Sequence, residues 1–569
     1  MIRLVPDWLR HYRRDLLAGD LSAGLIVTVM LVPQSLAYAM LAGLPPQMGL
    51  YASVLPIIAY AVFGTSMTLA VGPVAVASLM TASALTPLAA PGSAEYVALA
   101  IALSLLSGVM LLAFGMLRLG FLANFLSHPV ISGFISGAAV LIAIGQIRHL
   151  LGVRIEADGV IETVVALIMA LPRTNLVTLA IGVGSVALLM IARSRLAGWL
   201  QVAGIGRSRA ELLGRLAPMA VVVMATVAVA VLDLDQRAQV AVVGQVPAGL
   251  PDLPGFSQLI PGWDAIGNLL VPALLISLVG FVESVSVAQS FALKRRQRID
   301  ADRELLGLGA ANAASALSGG FPVTGGLARS VVNFSAGANT PLAGVVSAAL
   351  MAVVLMLFTG WFRTMPHAVL AATILVAVTS LIDVKTFREA WAYDRGDALA
   401  LAATALGVIT LGVEHGIVLG VAFSLAVIVW RGSRPHIAVV GRIPGTEHYR
   451  NIDRHAVEVI PGTLMLRVDE SLIFANAMQV RGRIDTMVAA GSAIRHVVIS
   501  CAGVNQIDTT GLEMLIALDS DLQRQGIELA LADVKGPVMD RLENTEWGHR
   551  MKGRVYLSLH DAAAGAAHS

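Results

Sequence analysis

In the segment ISLVGFVESVSVAQSFALKRRQR, Ile276 to Arg298, one carboxylate stands in an otherwise apolar run that ends in a burst of cations. That carboxylate is Glu283. Further on, Arg329 stands in a second apolar stretch, LARSVVNF. An acid in a low-dielectric centre is costly when ionised, so it takes up a proton near neutral pH or stays ionised opposite a cation. A buried guanidinium needs an anion or a carboxylate. Each residue also has a structural reading, as one half of a salt bridge or as a partner of backbone carbonyls. Proton carriage and anion binding are the chemistry these two residue types offer.

The elements that must position them are long and apolar. The chain has 569 residues, of which 57% are hydrophobic and 13% charged; a soluble protein carries roughly twice that charged fraction. Apolar runs extend from about Leu16 to Trp430, and ordinary soluble composition begins at about Gly432. This shift is the main domain boundary. The net charge of +2 gives no argument for nucleic acid. A single cysteine, Cys501, excludes an intrachain disulfide. The basic, amphipathic N-terminus leads into a run as long as a bilayer is thick, too long for the core of a cleavable signal.

Fourteen candidate spans centre on Val29, Ile57, Val76, Leu106, Gly137, Gly184, Val223, Leu278, Ala311, Val332, Val353, Leu375, Leu406 and Phe423. Cations set the orientation. Arg10, Arg13 and Arg14 precede the first span, and Arg118 ends the fourth. Arg193, Arg195, Arg207, Arg209 and Arg215 lie between the sixth and seventh, and Lys294 to Arg298 follow the eighth. Lys385, Arg388 and Arg395 follow the twelfth, and Arg431 and Arg434 the last. All fall on one side if the count is fourteen. Both termini are then expected in the cytoplasm, with the loop from Asp233 to Asp264 outside.

The two halves repeat one order of features. An apolar helix with a polar centre (Pro33-Gln34-Ser35 in one, Glu283-Ser284 in the other) is followed by a small-residue helix and a Gly-rich break. The breaks are Phe63-Gly64-Thr65-Ser66 and Gly319-Gly320-Phe321-Pro322. A last segment then opens on glycine, Val71-Gly72-Pro73-Val74 against Thr324-Gly325-Gly326-Leu327. Seven spans per half make the repeat inverted. Paired broken helices in inverted repeats point to a transporter site. A helix that starts at mid-membrane aims unpaired N–H groups and a positive dipole end inward, and two such starts suit an anion. Pro73 is expected at the first helical position of one start, where it loses no bond. Taken singly, each glycine run also fits plain small-residue packing between helices.

The stretch Leu31 to Pro46 (LVPQSLAYAMLAGLPP), then Gly49-Leu50-Tyr51 and Phe63-Gly64-Thr65-Ser66, resembles the signature of the SulP (sulfate permease) family of anion transporters. Glu283 to Gly344 and the C-terminal region are similar to it as well. The resemblance implies an α-helical polytopic membrane protein with fourteen transmembrane segments in a seven-plus-seven inverted repeat like that of uracil permeases, plus a small cytoplasmic α/β STAS domain. The expected divisions are a cytoplasmic segment over 1–15, a transporter domain over 16–431, and a linker and STAS domain over 432–569. Within the transporter, a core of about 16–127 and 266–362 would move like an elevator against a gate of about 128–232 and 366–431. Homodimers are implied.

Carried over residue by residue, Gln34 and Tyr38 match positions lining the anion site. Gly72, Pro73 and Val74 match the start of the third span, and Gly325, Gly326, Leu327, Ala328 and Arg329 that of the tenth. Val74 is smaller than the aromatic of some members, and Ala328 stands where some carry serine. Glu283 and Arg329 are expected to be neighbours. Members with aspartate at the Glu283 position can use sodium; glutamate resembles the proton-coupled members and makes Glu283 the expected proton-coupling residue. His128 and Glu414-His415 read as interfacial structure, and methionines such as Met30, Met40 and Met80 as filler.

In the tail, apolar strands near Leu464–Val468, His496–Ser500 and Glu528–Val534 alternate with helical stretches, an α/β layer pattern. Gln506 to Glu513 resembles the STAS motif, in which Thr510 matches a phosphorylated residue of related regulators. Thr510 and Glu513 also have capping-box spacing. No nucleotide loop, metal cluster or catalytic constellation appears, so neither an enzyme nor a cofactor is expected. The expected partners are a small inorganic or carboxylate anion, protons, the lipid of the inner membrane and a second copy of the chain. Sulfate driven by protons is the leading reading. A C4-dicarboxylate or bicarbonate carrier, an anion channel and a STAS-linked sensor stay open.

Overall fold

The computed structural model describes residues 6–568, apart from 125–126, 156–158, 251–253, 256–258, 260–261 and 492–493. The first residues of the expected 1–15 segment, parts of the loop from Asp233 to Asp264, and the side chains of Arg209 and Arg215 lie outside the described residues. Contacts divide the chain into two compact units, Met1–Phe423 and Ser424–Ser569.

The first unit is built from helices. Its first half carries α1 (Leu17–Leu41), α2 (Leu55–Phe63), β1 (Val71–Gly72), α3 (Ala75–Leu85), α4 (Ala94–Met116), α5 (His128–Leu151), α6 (Leu176–Ile191) and α7 (Arg207–Val231). Its second carries α8 (Trp263–Arg295), α9 (Ala301–Leu317), β2 (Thr324–Gly325), α10 (Leu327–Ser335), α11 (Leu342–Leu357), α12 (His367–Val378), α13 (Arg395–Leu411) and α14 (Val413–Ser433). The division between the units falls inside α14. Each of the fourteen expected centres lies in one of these helices. By length and composition seven helical stretches among the described residues can cross a membrane, and four shorter apolar helices accompany them. Helix lengths alone therefore do not give fourteen crossings.

Local sequence explains where several helices begin. Ser93 caps α4 by accepting from Tyr96 N, and Asn175 caps α6 at Val177 N and Thr178 N. Asp300 caps α9 at Asp302 N and Arg303 N. Each supplies an oxygen to N–H groups that lack a partner within the helix. Helices of the two halves pack together: α9 lies on α4 and α2, α11 on α1, and α12 and α13 on α5. Glycine sets the α4–α9 separation, since a Cβ on Gly108 would stand 2.7 Å from the Ala313 backbone nitrogen.

The second unit holds a six-stranded sheet in the order β4-β3-β5-β6-β7-β8, built from β3 (Ile437–Arg442), β4 (Tyr449–Asn451), β5 (Thr463–Val468), β6 (His496–Ser500), β7 (Glu528–Ala532) and β8 (Val555–Tyr556). From β5 to β8 the strands run parallel. Helices α15 (Ala477–Ala490) and α16 (Thr509–Arg524) form the crossovers. The cap of α16 is Asp508, whose Oδ1 accepts from Gly511 N at 2.8 Å. Thr510 is already inside the helix and exposed, so it does not form the capping box its spacing suggested. Asp508, two residues earlier, holds the extended backbone a cap requires.

Candidate anion site

The two Gly-led segments meet. β1 pairs antiparallel with β2, Val71 opposite Gly325 and Gly72 opposite Thr324. From this two-residue crossover α3 and α10 set out, with 11 and nine residues. At 1.5 Å per residue they reach about 16 Å and about 14 Å, near half the ~30 Å of a hydrocarbon core. Their N-caps are Val74 and Gly326, neither with a capping side chain. No capping side chain takes up the first-turn N–H groups of either helix, an arrangement that suits an anion. Pro73 is not at the first helical position. Two extended residues precede Ala75, because β1 must finish its pairing before the helix can begin.

A cavity lies at these helix starts. It encloses about 490 Å³ free of protein atoms, part of it open solvent. Its walls include Gln34 and Tyr38 of α1, Val74 before α3, Glu283 of α8, and Gly326, Leu327, Ala328 and Arg329 at the start of α10. Ala377, Val378 and Leu381, around the end of α12, close the opposite side. Gly72, Pro73 and Gly325 do not line it; they form the crossover behind it.

Arg329 is the charge at the centre. It is 2% exposed, and Nη1 and Nη2 have no hydrogen-bond partner. Oε2 of Glu283 is likewise buried without one. The two residues share the cavity, as expected of neighbours, but they are not joined through these atoms. Both residues thus bring unsatisfied hydrogen-bonding capacity to the same cavity.

The frame that holds Arg329 was not legible in advance. Ala70 N donates to Ser330 Oγ at 2.9 Å, Asn333 Nδ2 to the Thr68 carbonyl at 3.0 Å, and Gly326 N to the Ala70 carbonyl at 3.0 Å. These bonds stitch α10 to the chain entering β1. Two fully buried carboxylates fasten the far ends. Glu304 accepts from Tyr60 OH (2.6 Å), Thr65 N (2.7 Å), Thr65 Oγ1 (2.5 Å) and Ser66 N (3.1 Å), fixing the loop before β1. Asp20 accepts from Asn339 N (2.6 Å), Thr340 N (2.9 Å) and Thr340 Oγ1 (2.7 Å), fixing the loop after α10. The sequence signal for both was an acid in the first turn of an apolar helix. On the α8 side, Ser284 Oγ accepts from Gly325 N at 2.9 Å and meets Thr324 Oγ1 at 2.7 Å, which locks β2 onto the helix that bears Glu283.

Facing half-helices inside a polytopic helical domain, with an α/β domain after it, are the architecture of a multi-pass membrane transporter of anions. The chain belongs to the sulfate permease family, whose model matches residues 17–404, and a STAS domain matches residues 454–562. Among relatives, it is 33% identical over 578 residues to "Sulfate transporter 4.1, chloroplastic" of Arabidopsis thaliana, covering 98% of this chain and 81% of that one. To a probable sulfate transporter of Mycobacterium tuberculosis it is 34% identical over 535 residues, covering 94% and 92%. Among solved structures, SLC26A9 superposes with a TM-score of 0.89 at 22% identity, over 99% of this chain and 92% of that one. The transmembrane domain of a cyanobacterial bicarbonate transporter, BicA, gives 0.60 at 24% identity over 73% of this chain and 98% of that one. At these identities the structures establish the fold. The family is one of transporters, and the chain is not an enzyme.

Proposed function

We propose that the chain carries sulfate across the inner membrane together with a proton. The reading is carried by one observation: a buried Arg329 guanidinium with two unpartnered nitrogens faces a cavity at two uncapped helix starts. Such a set binds a small, multiply charged oxyanion through charge-assisted hydrogen bonds. The relatives named as sulfate transporters favour sulfate among such anions.

Glu283 is the proton carrier in this reading. Its Oε2 lacks a partner in the same cavity, so protonation breaks no protein hydrogen bond at that oxygen. Entry of a proton with the anion offsets the charge that must pass a low-dielectric barrier. The α1–α4 and α8–α11 helices act as the moving core, carrying the site past α5–α7 and α12–α14 in a homodimer whose termini are cytoplasmic. Thr510, exposed in the first turn of α16, is the candidate for phosphorylation.

The test is labelled-sulfate uptake into proteoliposomes with and without an inward proton gradient, for wild type and Glu283→Gln. Gradient-driven uptake that disappears in the variant supports the reading. Uptake indifferent to the gradient removes the coupling role, and no sulfate uptake sends the substrate to bicarbonate or a dicarboxylate.

A further inference from the structure

A second, roomier cavity lies farther along the same two helices that build the central one. Its walls include Met40 and Leu41 of α1 and Leu79 and Ala82 of α3. The central site is lined by Tyr38 on α1 and Val76 on α3. Two residues on α1 (Tyr38 to Met40) and three on α3 (Val76 to Leu79) separate the two cavities, about 3–4.5 Å of rise. The second cavity encloses about 670 Å³ free of protein atoms, part of it open solvent. It lies at the end of α1 remote from Arg13 and Arg14 and is closed by the last two turns of α5.

Those turns bring polar groups to it. Gln146, Arg148 and His149 all line the cavity. Gln146 is 5% exposed. Arg148 Nε donates to His149 Nε2 at 3.3 Å, which makes that ring nitrogen an acceptor, and the His149 ring meets the His367 ring edge-on at 6.0 Å. The Arg148 side chain takes part in no ion pair among the described residues. Its charge also stands away from the end of the bundle where most cations gather, so the sidedness rule does not account for it.

We propose that this cavity is a second anion-binding site, an outer waiting position in which Arg148, with Gln146 beside it, holds a small oxyanion before it reaches Arg329. A cleft with low-dielectric walls and one sign of charge concentrates counter-ions. A waiting anion less than one helical turn from the central site shortens the passage between solution and Arg329. The proposal rests on the reading of the chain as an anion carrier, not on its coupling ion or on Glu283. Arg148 in the last turn of α5 also answers the negative helix end, and that role alone would bind nothing.

The test measures charge and occupancy without transport. Gly145 lines the cavity, and a Cβ there meets open space. The native Cys501 is buried and stays silent. Full-length Gly145→Cys protein in liposomes is labelled with 2-sulfonatoethyl methanethiosulfonate and with its trimethylammonium counterpart. The anionic reagent is expected to react faster by about tenfold after correction for intrinsic reactivity, the low end for a charged cleft, and sulfate is expected to slow it. Arg148→Gln should abolish both effects, Arg148→Lys should keep them, and Arg329→Ala should leave the sulfate protection intact. Equal reagent rates, absence of protection by sulfate, or protection that survives Arg148→Gln overturns the proposal. Protection lost in Arg329→Ala but not in Arg148→Gln would assign the anion to the central site alone. Thr163→Cys on another wall gives the same readout if the Gly145 variant does not fold.

Discussion

The guanidinium of Arg329 packs on the α-carbon of Gly72, across the crossover from its own helix. A Cβ on Gly72 would stand 3.2 Å from Nη1, 3.4 Å from Nη2 and 3.5 Å from Cζ. Gly72 also has φ of +150°, a conformation side chains resist. Gly72→Ala should displace the guanidinium and raise KM for sulfate several-fold. Uptake kinetics in proteoliposomes check this, and an unchanged KM would contradict the packing.

Arg329→Ala separates a ligand-binding cation from a structural one. Breaking a buried ion pair costs about 3–5 kcal/mol. The terminal nitrogens of Arg329 have no protein partner, so the anion-free variant should keep its Tm or gain. What it should lose is the rise in Tm that sulfate produces in wild type, since a ligand stabilises only the state it binds. A Tm that falls sharply without sulfate would make Arg329 structural.

Glu304 and Asp20 should behave in the opposite way. Glu304 accepts four hydrogen bonds, two of them from backbone N–H groups. In Glu304→Gln one oxygen becomes an amide that can only donate, opposite donors. A loss of about 2–3 kcal/mol is expected from the groups left unpaired. Thermal unfolding without anion reads this directly, and an unchanged Tm would show that the loop is held by other contacts. Asp20→Asn should follow the same pattern at Thr340.

Cys501 is 1% exposed in the second unit. Burial, and then the charge of Asp533, push its thiol up to about 12. At pH 8 a maleimide should therefore leave the native protein unlabelled and react fully in denaturant. Rapid labelling of the native chain would contradict the burial.

That thiol reports on the cap of α16. Asp508 accepts from Gly511 N at 2.8 Å and from Phe474 N at 2.7 Å. Asp508→Ala leaves both donors without this acceptor, a loss of about 1–2 kcal/mol. Cys501 labelling should then begin at a lower urea concentration than in wild type. Coincident onsets would mean water replaces the carboxylate without loss.

Two expectations needed correction, and each depended on where a helix starts. Pro73 is two residues ahead of its helix, which begins at Ala75 after the β1 pairing. Thr510 yields the cap to Asp508, although Asp508 has Gly511 three residues on and so lacks the capping-box spacing.

Sequence by itself determined the apolar helices, the break before each half-helix, the presence of an acid and a cation among them, and the α/β pattern of the tail. Hydropathy, Gly and Pro act over a few residues, so these features are written locally. Only the tertiary structure decided that Val71 faces Gly325, that the Arg329 guanidinium rests on Gly72, and that Glu304 and Asp20 hold loops more than two hundred residues away in the chain. Such contacts join chain segments from opposite halves of a repeat. Their strength comes from hydrogen bonds and close packing between distant segments, and no local window contains both partners.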